Sequence, residues 1–111
     1  MAPRAELLPG TLDLLILKAL SLGEQHGYGV LLRIQQITAG ALTIEQGALY
    51  PALARLEHQG LLGAEWAVSD NNRRARFYSL TAAGRRRLKA ETERWNHAAL
   101  ALNMALGTNE I

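Results

Sequence analysis

The period of the hydrophobic pattern changes twice along this chain, and that change constrains the fold more than any other feature. Before Leu62 apolar residues recur every three or four positions, as they do on one face of a helix. From Leu62 to Leu80 apolar residues alternate with others around turn-forming residues at 69–72, which predicts a β-hairpin. After Thr81, a favourable N-cap residue, the chain continues to about Leu106 without proline, as expected of one long helix. The predicted fold class is mainly α with a small β-hairpin.

Three helices are predicted before the hairpin. The first begins with Thr11 as its N-cap and ends at Leu22; because it is apolar nearly all round, we expect burial from more than one side, and a second subunit could supply one cover. The second helix follows the turn at 24–27, with Tyr28 on its apolar stripe and Gly29 facing outward.

The third helix is indicated by leucines spaced four and three residues apart, and it stops at Gly60. Those leucines are Leu49, Leu53 and Leu56. Pro51 leaves two alternatives open, because proline beyond the first turn removes a backbone hydrogen bond. Either the helix starts as late as Ala48, or it is kinked.

Length and composition limit the class of protein. A chain of 111 residues holds one compact domain, which we place at 1–81, with an appended helix at 82–111. The sequence has no cysteine, its three histidines are far apart, and no nucleophile and base can be paired, so we expect no enzyme, cofactor or metal site. The first ten residues lack the apolar segment of an export signal, and the following apolar run is too short to span a membrane, so we expect a cytoplasmic protein with no membrane partner.

Positive charge is concentrated in one part of the sequence. The net charge is only +2, yet seven of the twelve cations lie between Asn71 and Lys89, a stretch without any acidic residue. Those cations are Arg73, Arg74, Arg76, Arg85, Arg86, Arg87 and Lys89. Such a cluster can bind phosphates with release of counterions. The alternative is an ordinary solvated face.

The order helix, turn, helix and hairpin is that of a winged helix-turn-helix, in which the third helix enters the major groove and the hairpin contacts the backbone. Opposite its leucines the third helix carries small residues, which allow a close approach, and Arg55, which can bind a phosphate or a guanine edge. A solvent-exposed face with no partner is the alternative.

The last helix has apolar residues at the a and d spacing of a coiled coil, which predicts a dimer. The residues are Leu88, Thr92, Trp95, Ala99, Leu102 and Leu106, the stripe of the last helix. Two-fold symmetry would match a palindromic operator with half-sites about 34–36 Å apart. The alternative is packing of this stripe against the first helix of the same chain.

Several motifs, in order and spacing, resemble the PadR family of bacterial transcriptional regulators. They are Pro9-Gly10-Thr11-Leu12, His26-Gly27-Tyr28-Gly29, Gly47-Ala48-Leu49-Tyr50-Pro51-Ala52-Leu53 followed by Arg55-Leu56-Glu57, Gly60-Leu61-Leu62, and Arg76-Phe77-Tyr78-Ser79-Leu80-Thr81 with Gly84. The likeness extends from Pro9 to Leu88, and the single last helix is similar to the short subfamily.

The resemblance implies a dimeric repressor with a winged helix-turn-helix and a long C-terminal dimerisation helix. Its DNA-binding residues would be Gln46, Gly47, Ala48, Tyr50 and Arg55 on the third helix, and Arg73, Arg74 and Arg76 on the wing. Family members respond to small molecules, and Trp95 resembles in position a tryptophan that holds planar aromatic compounds. Ala48 stands where the family often has threonine, and Phe77 where tyrosine or a basic residue is common. The rival hypothesis is a winged-helix adaptor that binds protein rather than specific DNA.

Overall fold

The computed structural model describes residues 10–108 and contains four α-helices and three short β-strands within that range. In chain order they are α1 (Thr11–Ser21), β1 (Gln25–His26), α2 (Gly27–Ile37), α3 (Gln46–His58), β2 (Leu62–Val68), β3 (Arg74–Leu80) and α4 (Ala82–Leu106). The mainly helical class, the hairpin and the long last helix are confirmed. The expectations about the first ten residues and the motif beginning at Pro9 lie largely outside the described residues, and the division at 81/82 stays a prediction.

The sheet is antiparallel, with strand order β1-β3-β2. The hairpin pairs Leu62 with Leu80 at its base and Val68 with Arg74 near its tip. At the turn, the Ser69 amide donates to the carbonyl of Arg73 over 2.7 Å. The strand β1 was not predicted, because two residues are too few to show a period of two and their partners on β3 lie about fifty residues further along the chain.

The core lies where α1 is surrounded by α2, α3, β3 and the start of α4. Four residues of α1 are buried, which confirms that it is covered from more than one side, here by elements of its own chain. They are Ile16, Leu17, Ala19 and Leu20. The leucines of α3 that gave its sequence pattern, at 49, 53 and 56, are buried against them.

The starts of α1 and α2 correct three expectations. The N-cap of α1 is Gly10 in the left-handed region, and Thr11 is the first helical residue rather than the cap. In α2, Gly29 is buried rather than outward. The side chain of Gln25 covers it so closely that a Cβ at this position would collide with it. Tyr28, expected on the apolar stripe, is 49% exposed. The cap of α2 is His26, whose Nδ1 accepts a hydrogen bond from the Gly29 amide over 3.0 Å.

Helix α3 begins at Gln46, before Ala48, so the later start considered for it is wrong. Pro51 therefore lies in the second turn, where it cannot donate to the carbonyl of Gly47. Both residues are exposed, so water can satisfy that carbonyl.

The first turns of helix α4 attach it to the core. The hydroxyl of Thr81 caps the helix by accepting from the Gly84 amide over 3.0 Å and donates to the carbonyl of Gly60 over 2.8 Å. Gly84 is buried against the carbonyl of Leu61, and Leu88 packs against the core. Beyond these turns the helix extends away, and most of its side chains are exposed.

Candidate nucleic-acid interface

The first two turns of α3 form an exposed surface of small and uncharged side chains. Gln46, Gly47, Ala48 and Tyr50 are all exposed, and Gly47 and Ala48 were expected opposite the leucines. A Cβ built on Gly47 would have no neighbouring heavy atom within 4 Å. A ligand could therefore approach the backbone of α3 closely at this point.

The tip of the hairpin presents two exposed arginines, Arg73 and Arg74. Neither forms an ion pair with any residue of the described range 10–108. The guanidinium of Arg74 lies 5.0 Å from the centroid of the Trp66 ring, a cation–π contact that holds it on one face of the hairpin. The charge of both arginines is thus available to an anionic partner.

Arg76, the third arginine predicted for the wing, is tied to α3. Its Nη2 donates to Glu57 Oε2 over 2.7 Å, and its guanidinium lies 5.8 Å from the Trp66 ring centroid. The hydrogen bond to Glu57 raises the pKa of Arg76 above its ordinary value. Burial raises the pKa of the neighbouring Tyr78 phenol, and the charge of Arg76 opposes this. Arg76 therefore joins the wing to α3 and is not a free cation.

Arg55 is half exposed, but its guanidinium donates to the carboxylate of Asp13 on α1. Arg87 likewise lines a small cavity together with Asp13 and Glu91. The stretch from Asn71 to Lys89 contains no acidic residue, yet two of its seven cations, Arg76 and Arg87, have carboxylates nearby in space. The charge pattern could not show Glu57 beside Arg76 or Asp13 beside Arg87, because both carboxylates come from other elements, whereas Glu91 follows Arg87 by four residues on α4.

A cavity to which no site was assigned from the sequence lies between the start of α2, Tyr50 and the hairpin. It measures about 410 Å³, and Tyr28 and Trp66 line it beside Tyr50 and Arg76. Two signals in the sequence point towards it. One is the segment His26-Gly27-Tyr28-Gly29, and the other is Trp66, a tryptophan in the alternating pattern of β2.

The stripe of the last helix divides into two parts. Leu88 packs against the core of its own chain, as the intramolecular alternative proposed. Trp95 is 45% exposed and lines a cavity of about 280 Å³ with residues of α1, while Leu102 and Leu106 are 60% and 71% exposed. Leu100 and Met104 are also exposed, so apolar surface in the second half of α4 extends beyond the predicted stripe.

Within residues 10–108 there is no group of three His, Asp or Glu side chains that could hold a metal ion. In the same range, none of the helices is both long and apolar enough to cross a membrane.

The helix pair α2 and α3, joined by residues 38–45, the exposed surface of α3 and a basic antiparallel wing define a winged-helix regulator of transcription. Residues 16–90 match the family model described as the transcriptional regulator PadR-like family, and the chain belongs to that family. Its members regulate transcription and are not enzymes.

Solved structures and a curated relative agree with this assignment. A transcriptional regulator from Clostridium thermocellum is 28% identical, with a TM-score of 0.77 over 86% of this chain and 92% of that chain. A PadR family regulator from Eggerthella lenta is 31% identical, with a TM-score of 0.75 over 90% of this chain and 85% of that chain. The transcriptional regulator YqjI of Escherichia coli is 40% identical over 53 residues, which are 48% of this chain and 26% of that protein.

Proposed function

We propose that this protein is a homodimeric, sequence-specific DNA-binding repressor. The observation that carries the proposal is the exposed N-terminal half of α3 beside a wing whose two tip arginines have no ion-pair partner among the described residues. A helix start with the small residues Gly47 and Ala48 on its exposed face fits the major groove, and free arginines beside it fit the flanking phosphates.

Each predicted residue has a role in this proposal. Gln46 and Tyr50 contact base edges or phosphates, while Gly47 and Ala48 allow α3 to lie close to the groove. Arg73 and Arg74 neutralise phosphates. In the absence of DNA, Arg76 and Arg55 are paired with Glu57 and Asp13. Each arginine therefore binds a phosphate fully only after it leaves its carboxylate.

The second copy packs against the exposed part of α4. Trp95, Ala99, Leu102 and Leu106 form the contact, together with Leu88 where the stripe meets the core. Uncovered leucines on a helix that projects from the core support this, because apolar surface of this kind is normally buried by a partner. The dimer would bind a palindromic operator in the cytoplasm, with half-sites about 34–36 Å apart.

Release of the operator would follow binding of an effector. The cavity beside Trp95 is the location we propose for a planar aromatic molecule, because it joins α1 to the dimerisation helix. A ligand there would favour one spacing of the two wings over another only if it bound the two states with different affinities.

The test compares the double variant Arg73→Ala/Arg74→Ala with a control, Lys18→Ala, which removes an exposed cation from α1 away from the wing. Fluorescence anisotropy against duplex DNA is measured over a range of salt concentrations. We expect the wing variant to bind all sequences more weakly, with a salt dependence reduced by up to about 1.8 in log–log slope, since each phosphate contact contributes about 0.9. A wing variant that binds like the control contradicts the proposal.

A further inference from the structure

The cavity between the start of α2, the exposed part of α3 and the hairpin has the chemistry of an anion site. Tyr28, Tyr50, Trp66 and Arg76 line it, and each carries an N–H or O–H group that can donate a hydrogen bond. None of the described residues that line it is acidic. Around these donors the walls are aromatic, so a suitable ligand has both a negative charge and an apolar part.

The position of the cavity identifies the ligand. Tyr50 lies on α3 and Trp66 on the wing, which are the two elements proposed to contact DNA, and the cavity separates them. A duplex that engages both elements must pass one strand over this space. We propose that the cavity receives a sugar–phosphate segment of the operator backbone, with Tyr28 and Trp66 as DNA contacts in addition to the residues of α3 and the wing tip. The inference rests on the proposed DNA-binding function.

The walls of the cavity are held in place before DNA arrives. Arg74 and Arg76 both contact the Trp66 ring, with their guanidinium carbons 5.0 and 5.8 Å from its centroid. The hydrogen bond from Arg76 to Glu57 then fixes the stacked side chains of Trp66, Arg74 and Arg76 to α3. A preformed site loses little conformational entropy when its ligand binds, so each donor contributes more to affinity.

Tyr50 is held on the other side by its contact with α2. A Cβ added at Gly27 would lie 2.5 Å from Tyr50 Cε1. Gly27 does not have a positive φ, so alanine is compatible with its backbone. Because the atoms in the way belong to the outer end of the tyrosine ring, Gly27→Ala would displace Tyr50 without disturbing the core. This substitution moves a wall of the cavity and leaves every donor present.

The experiment measures binding of full-length wild type, Tyr28→Phe, Trp66→Ala and Gly27→Ala to one specific duplex by anisotropy, with thermal melting as the check on folding. Tyr28→Phe removes only a hydroxyl, and Trp66 is 55% exposed, so we expect unchanged folds. The expected loss is about tenfold for Tyr28→Phe, the equivalent of one charge-assisted hydrogen bond. For Trp66→Ala we expect at least the same loss, because this substitution also releases the guanidinium groups of Arg74 and Arg76 from the ring. Gly27→Ala should also weaken binding.

The phosphate itself is located with duplexes that carry a single neutral methylphosphonate linkage at successive positions. At one position the neutral linkage should lower the affinity of the wild type. It should lower the affinity of Tyr28→Phe much less, because the hydroxyl and the phosphate charge belong to the same contact. If Tyr28→Phe and Trp66→Ala bind within twofold of wild type while Arg73→Ala/Arg74→Ala is weakened, the inference fails and the proposed function stands; a small aromatic anion would then be the better ligand. If the wild type binds no duplex, both fail.

Discussion

The guanidinium of Arg55, on the proposed recognition helix, donates a hydrogen bond to the carboxylate of Asp13, 42 residues earlier on α1. The pair joins the helix proposed to contact DNA to the helix at the centre of the core. It also neutralises a cation that the sequence pattern assigned to DNA. Both side chains are partly exposed, so the pair stabilises the fold by only about 0.2–1 kcal/mol.

Replacing Asp13 by asparagine should tighten DNA binding. Asp13→Asn removes the partner of Arg55, so this cation can turn to a phosphate, and we expect about two- to threefold higher affinity at low salt for any duplex. Anisotropy at two salt concentrations measures this. Glu91→Gln is the matched control, because it removes the same charge from the ion pair with Arg94 on α4. Equal effects of the two substitutions would mean that Arg55 does not contact DNA.

Gly47→Ala should separate folding from DNA binding. The site is open and helical, so alanine should stabilise the protein by about 0.5–1 kcal/mol, or roughly 4 °C in melting temperature for the upper value. The added methyl group would project from the exposed surface of α3 and weaken operator binding. Melting curves and anisotropy on the same preparation measure both effects. Undiminished binding would show that DNA does not approach α3 at Gly47.

Gly84→Ala should have the opposite profile. A Cβ there would collide with the carbonyl oxygen of Leu61 and lie 2.6 Å from Cδ1 of Leu80. A backbone carbonyl cannot move aside as a side chain can, so we expect a loss of about 1–3 kcal/mol in the free energy of unfolding. Urea denaturation measures it, with Gly47→Ala as the matched glycine substitution. A stability equal to that of wild type would contradict this packing.

Loss of the α2 cap should be visible at His26. His26→Ala removes the acceptor for the Gly29 amide and the edge-to-face contact with Phe77, whose ring centroid is 5.4 Å away. We expect a loss of about 1 kcal/mol from the cap alone, measured by urea denaturation. His26→Asn keeps an acceptor at this position and should lose less. Equal losses for the two variants would place the effect of His26 in its ring contact.

The dimer depends on the exposed leucines of α4. Leu102→Glu should produce monomers in sedimentation and weaken operator binding, because two linked half-site contacts become one. Met104→Glu is the control, since residue 104 is about 200° round the helix from residue 102 and off the predicted stripe. A Leu102→Glu variant that remains dimeric would exclude this stripe as the interface.

The elements with long, regular patterns were predictable from the sequence. The alternation from Leu62 to Val68 predicted strand β2, and the spacing of the leucines predicted α3, because one period over seven or more residues outweighs local exceptions. Thr81 was recognised as the cap of α4 by its residue type. The strand β1 and the burial of Gly29 were missed. Both depend on contacts with other elements rather than on a local pattern.

The candidate site was predictable only in outline. Gly47 and Ala48 on α3 and the tip arginines Arg73 and Arg74 are exposed as expected. Their positions opposite the leucines and at a turn were enough to predict this. The partners of Arg55 and Arg76 are 42 and 19 residues away, so a linear charge pattern could not show that these arginines are paired. For the same reason the cavity between Tyr28 and Trp66 became visible only in the folded chain.

The most direct test of the central claim is binding of the purified protein to DNA from directly upstream of its own coding sequence. Anisotropy is measured at two salt concentrations, with an unrelated duplex as competitor. We predict tight binding that weakens with salt and survives the competitor, because base contacts from α3 add to the phosphate contacts of the wing. Equal affinity for the upstream and unrelated duplexes would contradict sequence-specific binding at the upstream DNA. It would favour a winged-helix adaptor that binds protein.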